Sequence, residues 1–290
     1  MEAKLRILDR ILPRNGLFAG RPALTPRQRA DWDANGFLCL PGFMSKQEIE
    51  ALKAAVDREW ANAAGNDHEI DILSGPNAFR TFRMSEAPEG ARREAYKLNN
   101  LFARRPEVRK VALSARLRGV VSELLEGEPL ICNSLNFERG SQQPFHLDTW
   151  YMPPPVDNRM VAAWFAVDDV DAENGPLVYY PGSHRIPPYR FSDGRLNENR
   201  EERPLCDAYL EREIAARRLE PTEFHGKSGD VFIWHAQLLH GGRPIRDMKR
   251  TRGSLVVHYW RACDVPASHV RVDPASGRYL GHTLRGEIRY

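Results

Sequence analysis

Apolar residues near the start of the chain recur with helical spacing and are bracketed by helix signals. In "LTPRQRADWDANG" a helix opens after Thr25-Pro26 and stops at Gly36; Ser45, with Glu48 three residues on, caps a second running to about Trp60. Ile49, Leu52, Ala55, Val56 and Trp60 give that second helix one apolar face. Between the two, "GFLCLPGF" reads as a short strand, and a further helical region covers roughly 104 to 126 before Gly127 and Pro129 end it. The second half changes character. Short runs, "LICNSLNF", "MVAAWFAV", "LVYYP", "DVFIWH" and "SLVVHYW", alternate with Gly-, Pro- and Asn-rich turns, which predicts an antiparallel sandwich or barrel. The polar stretch from Ile186 to Glu220, with a helical pattern in "CDAYLEREIAARRL", reads as an insertion near the mouth of that β-structure.

Composition narrows the class without naming a function. Of 290 residues, 42% are hydrophobic and 28% charged, values of an ordinary globular chain rather than a disordered or fibrous one. The net charge of +3 arises from interleaved signs, so nucleic-acid binding gains no support. Cys39, Cys132, Cys206 and Cys263 are widely spaced, which fits a reducing compartment and a cytoplasmic location. The opening residues carry scattered charges, so they lack a signal-peptide core, and no segment reaches membrane-spanning length. Leu5, Ile7, Leu8, Ile11 and Leu12 form a short amphipathic stripe, expected to pack on the protein's own surface.

Candidate chemistry begins at "PFHLDTWYM". On a strand, alternate residues share a face, so His146, Asp148 and Trp150 would project together. In "WHAQLLHGGRP" a β-run leads to His240 in a glycine-rich turn, with His235 as its rival, and Arg252 opens the strand "RGSLVVHYW". Two histidines and a carboxylate leave three coordination positions on an iron open, the requirement of a non-haem Fe(II) oxygenase. The planar fork of a downstream arginine suits the far carboxylate of a dicarboxylate such as 2-oxoglutarate. His184, His225 and His258 read as ordinary buried or surface histidines, and "VDDVDAENG" as a solvated loop rather than a calcium site.

From about Gly36 to Trp260 the chain resembles the phytanoyl-CoA dioxygenase family of Fe(II)- and 2-oxoglutarate-dependent oxygenases. The resemblance rests on "GFLCLPGFMSKQEIEAL", "YKLNNLF", "FHLDTWYM", "AAWFAVDDVDAENGPLVYYPGSHR", "SGDVFIWHAQLLHGG" and "TRGSLVVHYW". It implies a mainly β fold with flanking α-helices, built on a double-stranded β-helix (jelly-roll, cupin-like) core. The expected layout is one domain over 1–290, with a helical part to about 127, the β-helix over 128–262 and an insertion or lid over 186–220. By resemblance His146, Asp148 and His240 are the iron ligands, Arg252 anchors 2-oxoglutarate, and Lys97 and Trp164 stand beside that co-substrate. Asn133 either reaches the co-substrate or is a structural amide. The implied reaction uses O2, releases succinate and CO2, and hydroxylates a small-molecule metabolite. Desaturation, cyclisation, epimerisation, or an inactive jelly-roll binding protein are the alternatives. Asp148 itself disfavours halogenation, because halogenating relatives replace this carboxylate. Where the family often has a hydroxyl-bearing serine after "HG", this chain has Gly242, so that contact is expected to be absent or replaced.

Overall fold

The computed structural model describes residues 23–273 and 275–281. The amphipathic stripe from Leu5 to Leu12 lies outside them. Helix α1 (Pro26–Asn35) and helix α2 (Lys46–Ala61) begin as the sequence predicts, each with a reciprocal capping box, Thr25 with Gln28 and Ser45 with Glu48. The expected helical region over 104–126 is two helices, α3 (Pro106–Ala112) and α4 (Ala115–Leu125), parted at Leu113 and Ser114. Between α1 and α2 lies strand β1 (Phe37–Leu40).

The helical half also contributes strands that the sequence pattern did not reveal: β2 (Glu69–Ile72), β3 (Arg80–Arg83) and β4 (Tyr96–Asn99). Four residues rich in Glu, Arg, Lys and Asn are too few and too polar to show a period of two. The second half holds β5 (Pro129–Phe137), β6 (Met160–Ala166), β7 (Leu177–Tyr179), helix α5 (Arg203–Arg217), β8 (Thr222–Phe224), β9 (Val231–His235), β10 (His240–Gly242), β11 (Ser254–Arg261), β12 (Val270–Val272) and β13 (Tyr279–Gly281). A large sheet runs β1-β9-β6-β11-β5-β4-β2-β3, with β13 joined to β5 and β12 to β13; a small sheet runs β10-β7-β8. The two form a jelly roll.

Strand alternation divides the large sheet's two faces. Val161, Ala163 and Phe165 of β6, Val231 and Ile233 of β9, and Leu255, Val257 and Tyr259 of β11 pack with Leu52, Ala55, Leu117 and Val121 of the helices. The alternate residues Ala162, Trp164, Phe232, Trp234 and Val256 turn inward, against Leu177 and Tyr179 of the small sheet. Helices therefore stiffen one face while the other is free to line a cavity.

Two local expectations need correction. Residues 146–150 are not a strand: His146 makes an isolated bridge to His240, and Asp148–Trp150 is a single 3-10 turn. His240 lies on a short strand rather than in a turn. The 186–220 insertion packs behind the turn. Cys206 and Leu210 of α5 pack with Leu147, Trp150, Ile186 and Phe191 behind the turn, and no residue of the segment borders the main cavity. Its Arg190, Arg195 and Arg203 are engaged with Asp157, with Asp193, and with Glu198 and Asp207. Among the described residues no helix is long and apolar enough to cross a membrane.

Gly36 closes α1 at φ +78°, and a Cβ there would sit 2.4 Å from Nδ1 of His184. Gly36→Ala should cost about 2–4 kcal/mol, from the left-handed conformation and the overlap together. Chemical denaturation of the two proteins checks this; equal stability would contradict the placement of His184 against the cap.

Candidate metal centre

Reciprocal backbone bonds, His146 N–H to His240 O at 2.8 Å and His240 N–H to His146 O at 3.1 Å, set the two histidines side by side. Gly241 permits this approach, since a Cβ there would lie 2.8 Å from the Gln143 carbonyl. Each ring repeats one device: Nδ1 of His146 lies 2.9 Å from the Pro144 carbonyl and Nδ1 of His240 lies 2.9 Å from the Leu238 carbonyl. A carbonyl only accepts, so both Nδ1 atoms carry the proton and both Nε2 atoms present lone pairs. Asp148 Oδ1 lies 3.9 Å from His146 Nε2 and 3.5 Å from His240 Nε2, while Oδ2 accepts from Trp234 Nε1 at 2.8 Å.

All three side chains are buried, and one ligand atom from each lies within 4.8 Å of the others. Burial pushes the His146 imidazole down to about 3, reinforced by His240. Burial works in the opposite direction on the Asp148 carboxyl, but the facing His240 and His258 rings outweigh it and hold the group low. Two imidazoles and a carboxylate converging on one point fit a divalent cation, and this donor set with open positions is that of a non-haem Fe(II) site.

The cluster opens into a cavity of about 520 Å³ that Lys97, Asn133, Trp164 and Arg252 also line. Every residue singled out in the sequence as ligand or co-substrate contact therefore borders one space. Arg252 is 3% exposed, its Nε has no hydrogen-bond partner, and burial alone draws its pKa down to about 10. Among the described residues no carboxylate pairs with it; the nearby Glu138 side chain is taken by Arg92 and Tyr96. A buried unpaired guanidinium is costly, so its place beside the cluster fits an anionic ligand such as the distal carboxylate of 2-oxoglutarate. Trp164 faces the guanidinium at 5.3 Å.

The loop that reads as solvated acids has a structural use. Asp168 accepts from Thr251 Oγ1 at 2.7 Å and Gly253 N–H at 2.8 Å, pinning the backbone on both sides of Arg252. Asp171 holds Arg250 through both of its oxygens, which keeps Arg250 away from the cavity. Lys97 reaches the cavity but pairs with Asp71 at 3.3 Å. At Gly242 a Cβ would lie 2.7 Å from Ser141 Oγ, so a hydroxyl from another segment fills that space.

His235 stands apart, packed against Trp32 and His184. His225 pairs with Glu223 near the surface, and Trp150 belongs to the core behind the turn, with Arg203 over its ring. His258 is the residue that sequence reasoning missed. It is 2% exposed, borders the cavity and places Nε2 3.6 Å from Asp148 Oδ1. The available signal was parity, because Arg252, Val256 and His258 differ by even steps and all reach the cavity.

A family model described as phytanoyl-CoA dioxygenase (PhyH) matches residues 32–253. Ectoine dioxygenase of Sphingopyxis alaskensis is 27% identical over 234 residues, spanning 75% of this chain and 70% of that protein. The crystal structure of EctD from S. alaskensis with 2-oxoglutarate and 5-hydroxyectoine superposes with a TM-score of 0.61 at 21% identity, covering 85% of this chain and 79% of that one. The α-ketoglutarate-dependent carbocyclase SnoK from nogalamycin biosynthesis gives 0.62 at 20%, covering 84% and 88%. These likenesses show a shared fold. The chain belongs to the phytanoyl-CoA dioxygenase family and is an Fe(II)- and 2-oxoglutarate-dependent dioxygenase.

Anaerobic Fe(II) titration followed by calorimetry separates the two rival histidines. His240→Ala should weaken metal binding by roughly a hundredfold or more, the loss of about 2.7 kcal/mol or more, whereas His235→Ala should stay near wild type. The reverse ranking would move the third ligand to His235.

Proposed function

We propose that His146, Asp148 and His240 hold the iron, that Arg252 anchors 2-oxoglutarate, and that the enzyme hydroxylates an unactivated C–H bond of a small-molecule metabolite. The observation that carries this reading is the fully buried, unpaired Arg252 in the same cavity as the triad. Fe(II), 2-oxoglutarate and O2 together supply the oxidising chemistry, with succinate and CO2 released.

The chain's residues orient and enclose. Arg252 meets the distal carboxylate with its two-pronged fork, Trp164 backs the guanidinium, and the Ser141 hydroxyl stands where a serine at position 242 would reach. Lys97 stands at the cavity wall with its charge offset by Asp71.

His258 acts on Asp148 through a chain of fixed polarity. The Ser134 N–H donates to Asn100 Oδ1, which identifies that atom as oxygen; Asn133 Nδ2 donates to the same atom, leaving Asn133 Oδ1 to accept from His258 Nδ1. His258 Nε2 is thereby directed at the ligating oxygen of Asp148. Asn133 thus serves as a positioning amide for His258. The same arrangement of residues serves desaturation, cyclisation or epimerisation, because the outcome depends on which substrate atom is presented. A cytoplasmic location suits the four free cysteines and an oxidisable Fe(II) centre.

Arg252→Lys keeps a positive charge and loses the fork, so 2-oxoglutarate should bind the Fe(II)-loaded protein about ten- to a hundredfold more weakly, the equivalent of roughly 1.5–3 kcal/mol. Arg252→Gln should be weaker still, with iron affinity unchanged in both. Anaerobic calorimetry with uncoupled succinate formation as second readout checks this; unchanged co-substrate affinity in both variants would remove Arg252 from the site.

A further inference from the structure

Six non-glycine residues in the described part of the chain have positive φ. Four have ordinary reasons: Glu126 and Arg218 close helices α4 and α5, and Asn100 and Asn158 are of the type that tolerates this conformation. The other two, Gln142 and Phe79, both border the main cavity. Gln142 has a structural task, since its Oε1 accepts from Ile245 N–H at 3.1 Å. Phe79 has none of that kind.

Phe79 sits where the β2–β3 hairpin returns to its ladder, its N–H bonded to the Ile72 carbonyl at 2.8 Å, with φ of 64°. Glycine is the residue suited to that backbone, yet an aromatic side chain stands there and is 88% exposed. Strain and exposure are separate costs, and neither is offset by any packing of the ring. Tyr151, at 37% another of the exposed large apolar side chains, borders the same cavity from the segment after the metal-binding turn. Exposed aromatic surface gathered at one cavity from two distant segments points to a ligand that covers it.

The remaining lining indicates the ligand's chemistry. With co-substrate at Arg252, the other walls include Leu73, Leu135 and Met152, with the uncharged polar groups of Asn99, Ser141, Gln142 and Gln143. Among the described lining residues the lysine or arginine side chains are Lys97 and Arg252, the first paired with Asp71 and the second assigned to the co-substrate. We infer that Phe79 is a specificity-determining residue whose ring lies against the flat apolar face of an uncharged, ring-bearing substrate, an inference that rests on the cavity being the meeting place of co-substrate and substrate. The strained backbone aims that ring into position before the substrate arrives.

Two probes test this on Zn(II)- and 2-oxoglutarate-loaded protein by saturation-transfer NMR: neutral 2-naphthol and anionic 2-naphthalenesulfonate. Wild type should bind the naphthol in preference to the sulfonate. Phe79→Ala should weaken naphthol binding at least about tenfold, Phe79→Tyr should restore it, and 2-oxoglutarate affinity should stay within about twofold in both. Phe79→Gly should lose the probe while its melting temperature rises, since the strain is relieved; a merely structural residue would instead lower it. Naphthol binding undiminished in Phe79→Ala, no naphthol binding to wild type, or preference for the sulfonate would overturn the inference. Failure of wild type to bind 2-oxoglutarate would overturn the reading of the site itself and this inference with it, a result read independently of the naphthol arms.

Discussion

Two backbone hydrogen bonds between His146 and His240 tie the segment after β5 to the edge of the small sheet, and the metal centre follows from them. They fix the separation of two imidazoles whose tautomers are set by carbonyls two residues upstream. They also place the 3-10 turn that brings Asp148 Oδ1 to 3.9 Å and 3.5 Å from the two Nε2 atoms. A glycine is required opposite this bridge, because side-chain atoms at 241 would strike the Gln143 carbonyl. Metal binding to such a cluster requires deprotonated ligands, and burial beside His240 favours the neutral form of the His146 ring.

The same jelly roll builds a positive end to the cavity. Asp168 pins the chain on either side of Arg252, Glu138 accepts the Arg252 N–H at 2.9 Å through its carbonyl, and the Glu138 carboxylate is withheld by Arg92 and Tyr96. The guanidinium is thus positioned by its neighbours and neutralised by none of those described. Strand alternation does the larger work: one face of the great sheet is packed by helices, so the other can carry costly polar groups without losing the fold.

Much of this was legible in the sequence where the signal is local. The Thr25-Pro26 start and the capping-box pattern of Ser45 with Glu48 announced α1 and α2, and short apolar runs between turns announced the core strands. The convergence of His146, Asp148 and His240 was legible for a partly mistaken reason, since His146 and Asp148 come together through a bridge and a turn rather than through strand parity. What escaped depends on distant partners. A lone histidine among "VVHYW" looks like core, and only the Asn100–Asn133 chain and the nearness of Asp148 reveal His258 as part of the site. Ser141 is equally silent until Gly242 folds against it. The packing of the 186–220 insertion was silent too, since Cys206 and Leu210 find their core against Leu147 and Trp150 of a distant segment.

In the proposed assignment His146, Asp148, His240 and Arg252 assemble one ternary site for iron and 2-oxoglutarate. Anaerobic visible absorption tests it most directly. Adding 2-oxoglutarate to the Fe(II)-loaded protein should produce a weak charge-transfer band that is absent with either component alone and absent from Asp148→Ala. A wild-type protein that binds both components yet shows no band, or an Asp148→Ala variant that keeps it undiminished, would contradict the account.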